Sequence, residues 1–138
     1  VVTELQNEGA EIDFVLIENI PHGQMRTALG SVDVLIDQMY AGWYGGISVE
    51  AMDLGIPVLS YIRHSDLLAV DEQMSTDLPV VSVTSSTLKE EISRLLTLTE
   101  TEFRDLRMRS RTYAHKWHNP ATVALAYSHY YPVATKQV

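Results

Sequence analysis

The sequence predicts an α/β fold, a Rossmann-like parallel sheet of about four strands flanked by helices. Short apolar runs alternate with helical patterns along the chain, and this alternation is typical of parallel α/β sheets. The run at residues 32–37 is almost continuously apolar, as expected for a strand that is covered on both faces. The length of 138 residues and the hydrophobic content of 46% fit a single domain over residues 1–138.

The first half of the chain contains two predicted helices with clear ends. One over residues 1–8 ends at Gly9, and one over residues 21–29 ends at Gly30. Pro21 suits the first turn of the second helix, because its fixed φ matches helical geometry. The predicted strands cover residues 12–17, 32–37, 57–62 and 78–83.

The second half is predicted to be mainly helical. Residues 86–97 carry leucine and isoleucine at helical spacing behind a Ser-Thr cap. Another helix starts at residues 99–102 and runs towards Trp117, and a terminal helix with an aromatic end covers residues 121–131.

Composition and charge exclude several classes of function. The chain has no cysteine, so disulfides and thiolate metal sites are excluded, and we expect a cytoplasmic protein. The formal charge of −8 argues against nucleic acid as a partner. No apolar run approaches the roughly 20 residues of a membrane-spanning helix. The first residue is Val1 rather than Met, and we expect the chain to be part of a longer protein.

The most informative stretch, residues 42–58, reads GWYGGISVEAMDLGIPV. A glycine-rich turn that leads into a helix gathers unpaired N–H groups and the positive end of the helix dipole, which together attract an anion such as phosphate. Glu50 falls near the start of that predicted helix. The alternative interpretation is purely structural, since a glutamate there complements the dipole and glycine-rich loops reverse the chain.

Ligands of open α/β sheets bind at the carboxyl ends of the strands. The loop before Gly46 leaves one such end and Arg63 leaves the next, so the glycines, Glu50 and Arg63 could face one crevice. An ionised carboxylate only accepts hydrogen bonds and suits a sugar diol, whereas phosphate needs donors such as N–H groups and Arg63.

Part of this stretch resembles the donor-site signature of retaining glycosyltransferases of the GT-B architecture, the large family that includes sucrose and glycogen synthases. The matching residues are Tyr44, Gly45, Glu50, Ala51, Met52, Gly55, Pro57 and Val58. The resemblance extends loosely from Val1 to about Leu96 and is sharp only over residues 32–58. It implies the C-terminal donor-binding domain, with a partner acceptor domain at the N-terminus that lies outside this sequence.

The resemblance also implies roles for individual residues. Glu50 would hold the ribose hydroxyls of a nucleotide-sugar donor, and the backbone amides around Tyr44, Gly45 and Gly46 would lie against the sugar and diphosphate. In the family a glutamate that touches the donor sugar stands where this chain has Gly42. Sugar recognition must then differ, be weaker, or come from another residue such as Gln38.

The resemblance implies neither a metal nor another cofactor, and no catalytic residue is assigned. In the family, the leaving diphosphate assists proton removal from the acceptor hydroxyl. The histidines also lack the spacing with carboxylates that a zinc site needs.

Three other functions remain open at this stage: a GT-B nucleotide-sugar epimerase, a noncatalytic nucleotide-binding or interaction module, and a flavodoxin-like domain. The last is disfavoured because no acidic cluster follows the first predicted strand. The basic residues of the helix that runs towards Trp117 are predicted to form a solvated face, with peripheral membrane contact or a partner domain as the alternative.

Overall fold

The chain forms a three-stranded parallel sheet flanked by helices, which confirms the predicted α/β class. The structure is a computed structural model, and it describes residues 1–128, 130 and 131. The elements in chain order are α1 (Val2–Asn7), α2 (His22–Leu29), β1 (Leu35–Ile36), α3 (Gly46–Asp53), β2 (Val58–Ser60), α4 (His64–Leu67), α5 (Glu72–Asp77), β3 (Val81–Ser82), α6 (Leu88–Leu96), α7 (Glu100–Trp117) and α8 (Pro120–Ser128).

The central strand β2 pairs with β1 on one side and β3 on the other, all parallel. Leu59 lies opposite Ile36 on one side and Val81 on the other. All three residues of β2 are buried, as expected for a strand with helices on both faces. The parallel order brings the carboxyl ends of β1 and β2 to the same edge of the sheet.

The first of the four predicted strands is not confirmed. Residues 12–17 contain no strand, and Phe14, Val15 and Leu16 are 60%, 55% and 68% exposed. An apolar run becomes a strand only when a neighbouring strand pairs with its backbone, and within the described part of the chain none pairs with this run. The apolar run is therefore present in the sequence, but the strand predicted from it is wrong.

Helices α3 and α7 pack closely against each other and form much of the core. Ala51 and Met52 of α3 are fully buried, and Tyr113 of α7 is nearly so. Gly55 follows α3 with a φ of +74°, and a Cβ there would lie 3.4 Å from the carbonyl oxygen of Arg107. The Arg107 Nε donates to the Gly55 carbonyl at 3.1 Å. This glycine therefore both ends α3 and permits the close approach of α7.

The basic residues of α7 are only partly a solvated face. His115 lies 3.0 Å from Asp53, and Lys116 donates to Asp77 at 2.6 Å. The hydrogen bond from Lys116 is the main reason that the pKa of Asp77 is lowered. These contacts attach α7 to α3 and α5.

Other helices differ from expectation at their ends or in their existence. The short helices α4 and α5 were not predicted, because each spans only one or two turns. The terminal helix predicted over residues 121–131 is present as α8, and residue 129 of that prediction lies outside the described residues. No helix within the described chain is both long enough and apolar enough to cross a bilayer.

Candidate ligand site at the carboxyl ends of the strands

The candidate site lies where the loop after β1 meets the segment after β2. Residues 37–45 connect β1 to α3, and Arg63 and Asp66 follow β2. Because the strands are parallel neighbours, these two segments lie at one edge of the sheet. Ser60 and Tyr61 donate to the Gln38 carbonyl, each at 2.9 Å, and fix the start of the loop there.

A carboxylate of the chain itself lies at the N-terminus of α3. The Gly45 N–H donates to Asp37 Oδ2 at 2.8 Å, and the Ser48 hydroxyl donates to the same oxygen. This is the favourable position for an anion beside a helix N-terminus. Asp37 thus partly fills the anion site that the sequence predicted for an external phosphate.

Two N–H groups of the first turn remain available. Within the described residues, the amides of Gly46 and Ile47 have no hydrogen-bond acceptor. Apart from its chain neighbours and the backbone of its own helix, nothing lies within 4 Å of the position of a Cβ on Gly46, and this glycine is exposed. These two amides are the unfilled part of the predicted anion site.

Glu50 lies on α3 and is held by α2. The His22 Nε2 donates to Glu50 Oε1 at 3.1 Å, and the Glu50 side chain is 39% exposed. A second pair, Arg26 with Asp53 at 3.0 Å, joins the same two helices. Glu50 is therefore contacted by a neighbouring helix through Oε1, and its side chain remains partly exposed.

Gln38 packs against the glycine turn. Its Nε2 lies 2.8 Å from the position that a Cβ on Gly45 would occupy, and Asp37 Oδ2 lies 3.1 Å from the same position. A side chain at residue 45 would displace both. The glycine at this position therefore allows Gln38 and Asp37 to approach the start of α3.

Arg63 is attached to the loop at Gly42. Its N–H donates to the Gly42 carbonyl at 2.8 Å, and its guanidinium donates to the Ala41 carbonyl at 3.3 Å. Gly42 has a φ of +93°, a left-handed conformation that favours glycine. Arg63 also lies 3.4 Å from Asp66 Oδ2. The side chain of Arg63 is half-exposed, so some of its donors still face solvent.

Tyr44 directs its side chain away from the site and into the core. Its hydroxyl lies 2.8 Å from the Tyr113 hydroxyl and 2.8 Å from His118 Nε2. Burial raises the pKa of both tyrosines and lowers that of His118. Tyr44 can therefore offer only its backbone to a ligand, as the amide role expected from the resemblance requires.

The predicted site residues fall into groups at this edge. Gln38 lies against Gly45, Arg63 lies against Gly42, and Gly46 opens the helix that carries Glu50. No contact within the described residues joins Glu50 to Arg63. The described residues also contain no group of three or more metal-ligating side chains.

Sequence reasoning did not assign His22, Asp37 or Asp66 to the site. His22 and Glu50 are 28 positions apart, and no local pattern joins them. Asp37 offered a signal, because an acidic residue directly after a strand and before a glycine turn is well placed to reach the helix that follows. Asp66 depends on the turn after Arg63, which the sequence did not predict as a helix.

Comparison of the sequence with protein-family models gives no match, and comparisons with curated proteins and with solved structures also give none.

Proposed function

We propose that this chain is the donor-binding part of a retaining glycosyltransferase, which transfers a sugar from a nucleotide diphosphate sugar to an acceptor hydroxyl. One observation carries the proposal. Glu50 lies on α3 one turn after the glycine-rich start of that helix, where His22 contacts one of its oxygens and the side chain remains 39% exposed. A partly exposed carboxylate on the helix that begins with free amide donors has the chemistry that a ribose diphosphate needs.

The ribose end of the ligand is assigned to Glu50. Two vicinal hydroxyls donate well to a carboxylate, which only accepts hydrogen bonds. His22 holds Oε1, which leaves Oε2 as the main acceptor for the diol.

The diphosphate is assigned to the free amides of Gly46 and Ile47, with the guanidinium of Arg63, which contacts the same loop at Ala41, as a further donor. Backbone amides at a helix start and an arginine are both strong phosphate donors. Asp37 already occupies the Gly45 amide, so the ligand would use the next two amides of the turn.

The same proposal includes the type of domain and the cellular compartment. We assign the sheet to a Rossmann-like domain of the GT-B type, which works with an N-terminal acceptor domain in the cytoplasm. The reaction uses no metal and no other cofactor in this assignment. No catalytic residue is assigned to the chain.

Calorimetric titration tests the ribose assignment. The complete gene product is titrated with UDP, ADP and GDP and with UDP-glucose, ADP-glucose and GDP-mannose, and the titrations are repeated on Glu50→Ala and Glu50→Gln. Loss of a hydrogen bond to a charged group costs about 1.5–3 kcal/mol, so the affinity for the preferred nucleotide should fall about 10- to 100-fold.

The matched control is Glu90→Ala, since Glu90 is an exposed helical glutamate without a contact among the described residues. This control should bind like the wild type. Equal affinity of wild type and Glu50→Ala would refute the ribose assignment, and absence of any nucleotide binding would refute the proposed function.

A noncatalytic nucleotide-binding module is the second candidate, and one observation favours it. Gly42 has no side chain to contact a donor sugar, and Arg63 occupies the adjacent space. Nucleotide binding that depends on Glu50, without sugar transfer to any of a panel of acceptors by the complete gene product, would favour this candidate.

A further inference from the structure

The backbone at residue 42 leaves no room for a side chain. Its φ of +93° is a conformation that side chains rarely adopt, and a Cβ there would lie 2.8 Å from Arg63 Cζ and from one of its terminal nitrogens. The same Cβ position lies 2.9 Å from Asp66 Oδ2. Chemistry at this part of the loop must therefore come from the residues that fill that space.

Asp66 brings a carboxylate to this position from a different strand connection. It lies in α4, which follows β2, whereas Gly42 lies in the loop that follows β1. Its Oδ2 is 3.4 Å from Arg63 and its Oδ1 is 3.3 Å from the Ser65 hydroxyl. Both contacts are long, so the carboxylate retains capacity to accept stronger hydrogen bonds.

Arg63 does not depend on Asp66 alone for its position. Its backbone N–H and its guanidinium also donate to the carbonyls of Gly42 and Ala41. Asp66 is about one-third exposed, and a ligand at the loop could reach it. The Asp66 carboxylate can therefore accept a hydrogen bond from a ligand while Arg63 keeps its contacts with the loop carbonyls.

The order of the binding groups along the chain indicates which part of the ligand Asp66 would contact. In chain order, Gly42, whose Cβ position lies 2.9 Å from Asp66, comes first, the free amides of Gly46 and Ile47 follow, and Glu50 comes last. A nucleotide sugar has the same order of parts: sugar, diphosphate and ribose. If Glu50 binds the ribose and the amides bind the diphosphate, the sugar lies at the Gly42 end.

We infer that Asp66 is a specificity-determining residue that accepts a hydrogen bond from a hydroxyl of the donor sugar. It supplies the carboxylate that residue 42 cannot carry. Gln38 is placed differently, because its side chain packs against Gly45 at the start of α3. This inference rests on the proposed function and extends it to recognition of the sugar.

The test compares the affinity of each nucleoside diphosphate with that of its sugar conjugate, in the complete gene product and in Asp66→Asn. The substitution keeps the size of the side chain and removes its charge. The affinity for the nucleotide sugar should fall about tenfold, and the affinity for the nucleoside diphosphate should stay within about twofold, since the loss of one charge-assisted hydrogen bond is of that order. Asp105→Asn, at an exposed aspartate of α7, should change neither.

Three results would overturn the inference. These are an equal loss for both ligands, no loss for either, and a wild type that binds the sugar conjugate no more tightly than the diphosphate. The last of these leaves the nucleotide site intact, whereas a wild type that binds no nucleotide overturns the proposed function as well.

Deoxy-sugar nucleotides give a test that needs no folded variant. With wild-type protein, removing the hydroxyl that Asp66 accepts should weaken binding about tenfold at one position of the sugar ring. Asp66→Asn should remove that difference if it folds. Equal binding of every deoxy analogue by the wild type would contradict the assignment.

Discussion

The Tyr44 hydroxyl lies 2.8 Å from His118 Nε2, and this hydrogen bond joins the glycine-rich loop to the C-terminal end of α7. The same hydroxyl bonds Tyr113 within α7 at 2.8 Å. The rings of Tyr44 and His118 meet edge to face with centroids 5.7 Å apart. The loop that carries the candidate site is thereby attached to the longest helix described.

Tyr44→Phe should destabilise the fold without touching the site directly. It removes two hydrogen bonds and leaves polar groups of Tyr113 and His118 without that partner, which costs about 1–3 kcal/mol. Urea denaturation measures the change. Tyr40→Phe is the control, because Tyr40 is 83% exposed. Equal stability of Tyr44→Phe and wild type would show that the network contributes nothing.

Acidification should destabilise the protein through His118. Burial lowers its pKa below 6.5 in the folded state, so the unfolded chain takes up a proton at higher pH. The contribution of neutral His118 is fully present above about pH 6.5 and is lost as the pH falls towards the folded pKa. Unfolding midpoints measured between pH 7 and pH 5 should therefore decrease.

His118→Gln should reduce this pH dependence. His64→Gln should retain it, since His64 is exposed and lies on α4. Asp53 and Asp77 do not contribute to the pH dependence between pH 7 and pH 5. Their pKa values are lowered from 3.8, so these carboxylates take up protons only at more acidic pH. An unchanged slope in His118→Gln would contradict the assignment.

Gly42→Ala should cost more stability than Gly9→Ala. Both glycines have a φ of +93°, which costs a side chain about 1–2 kcal/mol. A Cβ at Gly9 meets nothing within 4 Å, whereas one at Gly42 lies 2.8 Å from Arg63. The difference between the two variants in chemical denaturation measures the cost of displacing Arg63 and Asp66, whose Oδ2 lies 2.9 Å from the same Cβ position.

The Arg63→Ala/Asp66→Ala background provides the check. There the cost of Gly42→Ala should approach that of Gly9→Ala, because both close contacts are gone. The same excess cost with and without these two side chains would show that the strain at residue 42 has another origin.

Gly55→Ala should loosen the packing of α3 against α7. The substitution places a Cβ at a φ of +74° and 3.4 Å from the Arg107 carbonyl, and we expect a loss of about 1–2 kcal/mol. Gly23→Ala within α2 is the control: its Cβ meets nothing within 4 Å, and it should stabilise the helix by about 0.5–1 kcal/mol. Thermal unfolding of both variants tests whether the stability changes have opposite signs. A loss of stability in both variants would contradict this prediction.

Local sequence signals predicted the elements that local chemistry determines. Gly30 ends α2, and Thr99 with Glu102 forms a capping box at the start of α7. The strand at residues 12–17 failed because pairing depends on a distant neighbour. The apolar pattern carries no information on whether that neighbour is present.

The site divides in the same way. The glycine turn and Glu50 could be identified from spacing within one stretch of chain. The partners His22 and His118 could not, because they come from elements whose proximity is decided by packing. Arg63 was expected at this edge from the order of the parallel strands. Tyr44 illustrates the limit: its backbone amide was expected near the ligand, and nothing in the motif indicated that its side chain is directed to Tyr113, 69 positions away.

Asp37 has a consequence for how the loop meets a ligand. Because its carboxylate already binds the Gly45 amide and the Ser48 hydroxyl, the turn keeps its shape without an external anion. A ligand that arrives at the amides of Gly46 and Ile47 finds a preorganised receptor, and little conformational entropy is lost in ordering the backbone. The negative charge of Asp37 beside these amides would repel an incoming phosphate. We therefore expect the site to discriminate between ligands by the charge of their phosphate groups.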